Sequence, residues 1–157
     1  MVMFNVKCIN MTTNEVLIRH NFVSKIPFKN GLSKDLKVKI MSMRIEYAKI
    51  RKSFDEDLQE FIKDGSSDEF RELQQKQDRT EAETAKLNEM SEKLTSEYNA
   101  YIATRSAEEV NIEKKMFTMD EYNEIVSVTD GDTIEINGQA LAVADFLEIL
   151  YSLFVEE

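Results

Sequence analysis

Residues 33–65, SKDLKVKIMSMRIEYAKIRKSFDEDLQEFIKDG, contain the longest periodic pattern in this chain of 157 residues. Apolar side chains recur there at intervals of three and four residues, which is the spacing of one face of an α-helix. They are Leu36, Ile40, Met43, Tyr47, Ile50, Phe54, Leu58 and Phe61. Ser33 is a favourable N-cap, and Gly65 can end the helix in the left-handed conformation. The pattern predicts a helix of about 30 residues.

The segment 67–105 is predicted to return antiparallel to this helix, because the link at 64–67 is short. Ser66 and Glu69 have the spacing of a capping box at its start. Thr80 and Glu83 repeat that spacing in the middle of the segment, which is almost entirely polar. The sequence leaves open whether the second helix is continuous through 78–80.

The N-terminal region has a different pattern. Residues 2–9 alternate between apolar and polar side chains, and residues 16–23 are rich in apolar and β-branched side chains. The stretch at 10–14 has turn-forming residues, and Pro27 has no N–H with which to continue a sheet. These features predict an N-terminal β-hairpin within residues 1–30.

The C-terminal region, 109–157, combines short elements. Residues 110–117 alternate as a third strand would, and Thr118 with Glu121 forms a capping box for a short helix at 119–126. Asn137-Gly138 favours a type I′ turn between strands at 133–136 and 139–141. A final helix begins near Val143, and its apolar side chains cover more than half of its circumference.

Together these patterns predict an α+β fold, mostly α, in a single domain spanning 1–157. Its three parts are an N-terminal β-hairpin at 1–30, a long antiparallel helical hairpin at 33–105, and a strand, short helix, hairpin and C-terminal helix at 109–157. The helical hairpin is expected to stand on a small base of β-hairpins and the C-terminal helix.

Charge is distributed unevenly along the chain. Residues 1–52 hold 11 basic and 3 acidic side chains, for a net charge of +8, whereas residues 53–157 hold 9 and 27, for −18. Such a dipole favours a head-to-tail neighbour, an acidic partner or nucleic acid for the basic part. Neutralisation within one molecule is equally compatible with the sequence.

Three sets of residues are candidates for interaction with a partner. The basic set is Lys34, Lys37, Lys39, Arg44, Lys49, Arg51 and Lys52; the acidic set is Asp55, Glu56, Asp57 and Glu60; the apolar set, on the C-terminal helix, is Phe146, Leu150 and Phe154. Nucleic acid is possible but not favoured for the basic set, because it has no interleaved surface aromatics of the kind that single-strand binding uses and no recognition motif.

Catalytic and cofactor motifs are missing from the sequence. The chain has one histidine, His20, and one cysteine, Cys8, too few for a zinc site within one chain. The four glycines are scattered, so neither a Rossmann fingerprint nor a Walker A loop is present. Residues 130–132 resemble part of a calcium loop but lack its remaining ligands. We therefore expect no cofactor, no metal and no enzymatic activity.

The N-terminal residues lack the continuous apolar run of a signal peptide, and no segment has the ~18 apolar residues of a membrane span. A single cysteine gives no internal disulfide. We therefore expect synthesis in the cytoplasm and no membrane partner.

The layout resembles small accessory and structural proteins of tailed bacteriophages. Those proteins pair a long acidic helical hairpin with a small strand–helix base and an acidic C-terminal helix that ends in apolar residues and two glutamates. Here that ending is LEILYSLFVEE, residues 147–157. The resemblance covers the architecture of the whole chain, transfers no functional residue, and implies a virion or assembly role such as a ring or connector component.

The leading functional hypothesis is a non-enzymatic structural protein that assembles with copies of itself or with a larger particle. An alternative is an acidic inhibitory or adaptor module for a host protein, in which the acidic set, with Asp64, Asp68 and Glu69, mimics spaced phosphates. A remote alternative is a metal-dependent nuclease that uses Glu113 and Lys115.

Overall fold

The structure is a computed structural model that describes residues 10–156. Its elements, in chain order, are β1 Met11–Thr12, α1 Thr13–Val23, α2 Lys34–Gly65, α3 Asp68–Gln75, α4 Glu81–Ser106, β2 Glu109–Val110, α5 Met119–Val128, β3 Thr133–Ile136, β4 Gln139–Ala142 and α6 Val143–Phe154. The fold class is α+β and mostly α, as predicted.

The chain divides into two units. Of the described residues, 10–51 and 109–156 form the first unit, and Lys52–Glu108 form the second. Helix α2 supplies residues to both. The prediction of a single domain over 1–157 stays a prediction.

Helix α1 occupies the place of a predicted strand. The Thr12 hydroxyl accepts a hydrogen bond from the Glu15 amide and caps the helix. Its buried residues include Val16, Arg19 and Val23, at intervals of three and four. The strand predicted at 16–23 is therefore wrong, because the helical stripe includes a buried arginine that an apolar pattern omits. The other strand of that hairpin, at 2–9, lies outside the described residues.

Helix α2 has the predicted extent. The Leu36 amide donates to the Ser33 hydroxyl at 3.3 Å, so Ser33 caps the helix as expected. Gly65 is its last residue but does not have a positive φ. A Cβ atom at Gly65 would lie 2.7 Å from Leu94 Cδ1, so the glycine allows α4 to approach closely rather than ending the helix in a left-handed conformation.

The return segment consists of two helices. Its break at 76–80 leaves α3 and α4 separate, and Arg79 donates to the carbonyl of Leu73 at 2.7 Å. Thr80 and Glu83 form the predicted capping box. The N-cap of α3 is Ser67, one residue after the predicted Ser66.

Within the second unit, α4 runs antiparallel to the end of α2. The rings of Phe61 and Tyr101 stack at 4.5 Å, and Arg105 Nε donates to Asp57 Oδ2 at 2.9 Å. As the residue number rises along α2, the number of its contact in α4 therefore falls. This packing confirms the antiparallel helical hairpin.

The strands form two small antiparallel pairs. β1 pairs with β2 rather than within an N-terminal hairpin. β3 and β4 form the predicted hairpin, with φ values of 50° at Asn137 and 78° at Gly138, as a type I′ turn requires. The third strand, predicted over 110–117, is wrong for most of its length, because residues 111–116 are not assigned to a strand and, among the described residues, only a bridge from Phe117 to Val155 follows β2.

The core of the first unit gathers the buried faces of α1, α2, α5 and α6. Leu36, Ile40, Met43 and Tyr47 of α2 are buried there with Phe146, Leu150 and Phe154 of α6. Phe22 of α1 stacks on Phe146 with ring centroids 5.7 Å apart. The predicted α2 stripe is therefore a core stripe in this unit.

Arg19 lies inside this core with 2% of its surface exposed. Its guanidinium donates to Tyr47 Oη at 3.1 Å, to the Leu153 carbonyl at 2.5 Å and to the Lys115 carbonyl. It also stacks 4.1 Å from the centroid of the Phe154 ring. No carboxylate among residues 10–156 lies within ion-pair distance of it. One side chain thus connects α1, α2, the segment before α5 and the end of α6.

Candidate interaction surface on helix α2

The two arginines of the predicted basic set have structural contacts. Arg44 donates to the carbonyl of Val23, the last residue of α1, at 3.0 Å and to the carbonyl of Ile26 at 2.7 Å. Burial lowers the pKa of Arg44 below its ordinary value. Arg51 donates to the Leu17 carbonyl at 2.9 Å and to His20 Nδ1 at 2.7 Å. Both guanidiniums therefore fasten α1 to α2 and are not free to bind phosphate.

The lysines of that set divide into two groups. Lys39 pairs with Glu121 at 2.8 Å, and Lys52 lies 3.8 Å from Glu56. Lys34, Lys37 and Lys49 make no ion pair with any of residues 10–156. The predicted basic patch is thus reduced to three available lysines.

The acidic set is also partly occupied. Asp57 pairs with Arg105 and Glu56 with Lys52, whereas Asp55 and Glu60 are exposed. Of the further residues in the phosphate-mimic hypothesis, Asp64 is exposed, Asp68 lies 3.5 Å from Arg71, and Glu69 pairs with Lys86. No continuous row of unpaired carboxylates results.

The apolar set on the C-terminal helix lies in the core. Phe146, Leu150 and Phe154 have no exposed surface. These side chains are therefore unavailable for docking in this fold, which corrects their proposed role.

The residues of the nuclease hypothesis do not form a metal site with their neighbours. Glu113 is exposed, and Lys115 Nζ donates to the Ser42 hydroxyl at 3.0 Å and lies 3.8 Å from Glu46 Oε2. Within the described part of the chain, no three His, Cys, Asp or Glu side chains are grouped so that they could hold a metal ion.

The first half of α2 carries a second apolar stripe, which is exposed. Val38 is 62% exposed, Met41 44% and Ile45 50%, and Phe28 lies beside them with 41% of its surface exposed. With Lys37, Ser42 and Glu46 these side chains line an open groove. We call Phe28, Val38, Met41 and Ile45 the apolar face.

The apolar face lies opposite the core stripe of the same helix. At 3.6 residues per turn, Val38, Met41 and Ile45 cluster on one side, whereas Leu36, Ile40, Met43 and Tyr47 cluster on the other. A helix that is apolar on opposite sides is ordinarily covered on both. Contiguous exposed apolar patches of this kind mark interaction sites in proteins.

The aromatic wall of the groove is fixed by the protein itself. Phe28 packs against the Arg44 guanidinium, whose carbon lies 4.7 Å from the ring centroid. The bonds of Arg44 to the carbonyls of Val23 and Ile26 hold that guanidinium in place. The ring is therefore held in place by contacts within the protein, and a side chain ordered in this way has less entropy to lose in any further contact.

The polar edge of the groove is formed by Ser42 and Glu46, both of which contact Lys115. Glu46 Oε2 is buried but has no hydrogen-bond partner among residues 10–156. The Lys115 ammonium, 3.8 Å away, balances its charge without bonding to it. This edge therefore adds polar contacts to the groove with little net charge.

Sequence reasoning missed all four residues of the apolar face. The signal was present, because Val38, Met41 and Ile45 are spaced by three and four residues, as the core stripe is. It was hidden by the lysines interleaved with it and by the stronger pattern on the opposite side.

Comparisons with protein-family models, with curated proteins and with solved structures find no match for this chain. Among residues 10–156, no helix combines the length and apolar character that crossing a membrane requires.

Proposed function

We propose that this chain is a non-enzymatic assembly protein that acts through protein–protein contacts, with the apolar face of α2 as its docking surface. The observation that supports the proposal is the exposed stripe of Val38, Met41 and Ile45 on a helix whose opposite side is already buried. Covering it removes apolar area from water, which is the main favourable term in most protein association.

The narrower form of the proposal is a virion component of a tailed bacteriophage, such as a ring, connector or accessory protein. It rests on the resemblance in layout and on the C-terminal residues 147–157. In this form the partner belongs to a larger particle, and the chain serves as one of its structural parts.

Site-specific photo-crosslinking tests the proposal. A photoreactive amino acid replaces Ile45 in one variant and Ile62 in another, and each is irradiated in the cells that produce the protein. Ile62 is a matched control because it is an isoleucine of the same helix with a similar exposure of 42%. We expect a discrete protein adduct at position 45 and none at position 62.

The mass of the adduct identifies the kind of partner. An adduct of twice the monomer mass of 18.2 kDa indicates self-assembly, and any other discrete mass indicates another protein. If position 45 gives no more adduct than position 62, the proposed docking role of the face is wrong.

A further inference from the structure

We infer that the apolar face of α2 binds an amphipathic helix of another protein, with apolar residues at its centre and carboxylates near both ends. This inference rests on the proposed function and specifies the chemistry of the partner.

The spacing of charges around the face sets the pattern of the partner. Lys34 lies four residues before Val38, and Lys49 lies four residues after Ile45, so both fall on the same side of the helix as the face. The two lysines are 15 positions apart in sequence, or about 22 Å along the helix axis. A helix laid along the face would therefore place its apolar residues between two acidic ends.

The local charge favours an acidic partner. Lys34, Lys37 and Lys49 have no ion pair with the described residues, and residues 34–51 contain only Asp35 and Glu46 as acids. The charge of Glu46 is already faced by Lys115. Two acids of α5 also contact this end of α2, because Glu121 pairs with Lys39 and Glu124 accepts from Ser33. The six cations of residues 34–51 still outnumber these two acids together with Asp35 and Glu46, so this part of the surface is positive in a chain whose net charge is −10. Complementary potentials select a partner and speed its encounter.

A second copy binding through the same face fits less well. In an antiparallel pair of α2 helices centred between Met41 and Ser42, each Lys34 would lie opposite the Lys49 of the other copy. In a parallel pair each lysine would lie opposite itself. Like charges at such positions oppose association, so the face is not complementary to itself.

Two other occupants also lack the required chemistry. Residues 1–9 contain Lys7 and no acidic side chain, so they would add positive charge to a positive surface. Nucleic acid would pair with the lysines but would leave Val38, Met41 and Ile45 without apolar contacts.

The test uses the folded full-length chain and three synthetic helical peptides of about 16 residues, the number needed to span Lys34 to Lys49. Each peptide has leucines at positions 5, 8 and 12, and they differ only in carrying glutamate, glutamine or lysine at positions 1 and 16. Affinity is measured by fluorescence anisotropy at low and high salt. We expect glutamate-ended peptide to bind most tightly and lysine-ended peptide most weakly, with about a threefold effect per lysine contacted.

Two variants locate the binding and the charge recognition. Ile45→Gln should abolish most of the binding, whereas Ile62→Gln, the matched change on the same helix, should leave it unchanged. Replacing both Lys34 and Lys49 by glutamate should reverse the order of the peptides, so that the lysine-ended one binds best. Circular dichroism and the urea midpoint show that each variant is folded; these side chains are exposed, so the fold should be retained.

Several results would overturn the inference. One is that no peptide binds, and another is that all three bind equally. A third is that Ile45→Gln and Ile62→Gln lose the same amount of binding. A fourth is that the glutamate-ended peptide binds more tightly once residues 1–9 are deleted. If the chain forms a dimer and Ile45→Gln dissociates it, the occupant of the face is a second copy. Binding to vesicles containing anionic lipid in preference to the peptides would assign the face to a membrane. If crosslinking at position 45 succeeds while the peptide order fails, the proposed function stands and only the acidic partner is wrong.

Discussion

Arg19 shows how a single buried charge connects distant parts of the chain. We expect Arg19→Ala to lower the free energy of unfolding by about 3 kcal/mol or more, because the Leu153 and Lys115 carbonyls lose their donor inside the core. Urea denaturation measures the change. Arg19→Lys keeps the charge but cannot reach all of these acceptors, so it should still lose about 1 kcal/mol or more. A lysine variant as stable as the parent would show that only the charge matters.

His20 gives the stability a pH dependence of known sign. Burial, and then the charges of Arg51 and Arg44, lower the pKa of His20 below its ordinary value of 6.5. The folded state therefore binds fewer protons than the unfolded state just below pH 6.5, and its stability rises with pH there. The stability that this lowered pKa contributes is fully present above pH 6.5 and is lost as the pH falls toward the pKa of His20 in the folded protein.

The corresponding measurement compares the urea midpoint of the parent with that of His20→Asn on either side of pH 6.5. Asparagine can accept from Arg51 without titrating. We expect the parent to lose more stability than the variant on acidification. Parallel loss in both proteins would mean that His20 does not cause the dependence.

Among the elements, α5 depends on the capping box at its start. The Thr118 hydroxyl accepts from the Glu121 amide at 3.1 Å, and the Glu121 carboxylate accepts from the Thr118 amide at 2.9 Å. We expect Thr118→Ala to lower the unfolding free energy by about 1 kcal/mol, since a free amide at the helix start loses its acceptor. Thr118→Ser retains a hydroxyl and should stay close to the parent in the same thermal or urea experiment.

The elements whose signals are local were predictable from the sequence. The caps at Ser33, Thr80 and Thr118 and the Asn137-Gly138 turn act over a few residues, and each lies where it was expected. The signal of the long apolar stripe of α2 is equally local, because helical periodicity can be recognised from the spacing of nearby residues alone.

The missed elements depend on distant partners. The sequence predicts a strand in place of α1 because the buried face of this helix includes Arg19. One acceptor of Arg19, the Leu153 carbonyl, is 134 positions away in the sequence. Among the described residues, the segment after β2 alternates like a strand but pairs beyond Val110 only through the isolated bridge of Phe117 with Val155. Sequence spacing does not reveal such long-range contacts.

The candidate site was only partly predictable for the same reason. The importance of the basic half of α2 was recognised, but which cations are free depends on tertiary contacts. The guanidiniums of Arg44 and Arg51 bond to residues of α1, whereas Lys34 and Lys49 are exposed and make no ion pair with the described residues. Similarly, the place of Phe28 in the apolar face depends on tertiary contacts such as that of its ring with the Arg44 guanidinium.

At the scale of the whole molecule, the two units differ in how much they bury. The first unit holds a large buried core, whereas α4 in the second unit has no buried residue. Amide protection follows burial and local contacts. We therefore expect residues 82–104 to exchange hydrogen faster than residues 36–50 and 144–154, as measured by mass spectrometry. Equal protection in both regions would show that the units open together.

The contribution of both ends of the sequence to the first unit also constrains when this protein can acquire its structure on the ribosome. The Arg19 guanidinium meets the Leu153 carbonyl, 134 positions later, so this contact cannot form until residue 153 has been made. The second unit, Lys52–Glu108, is continuous and can form its contacts earlier. Contacts so distant in sequence slow folding and leave apolar surface exposed meanwhile. A nascent chain paused before residue 109 therefore has α2 but still lacks β2, which pairs with β1, and α6, which packs on α1.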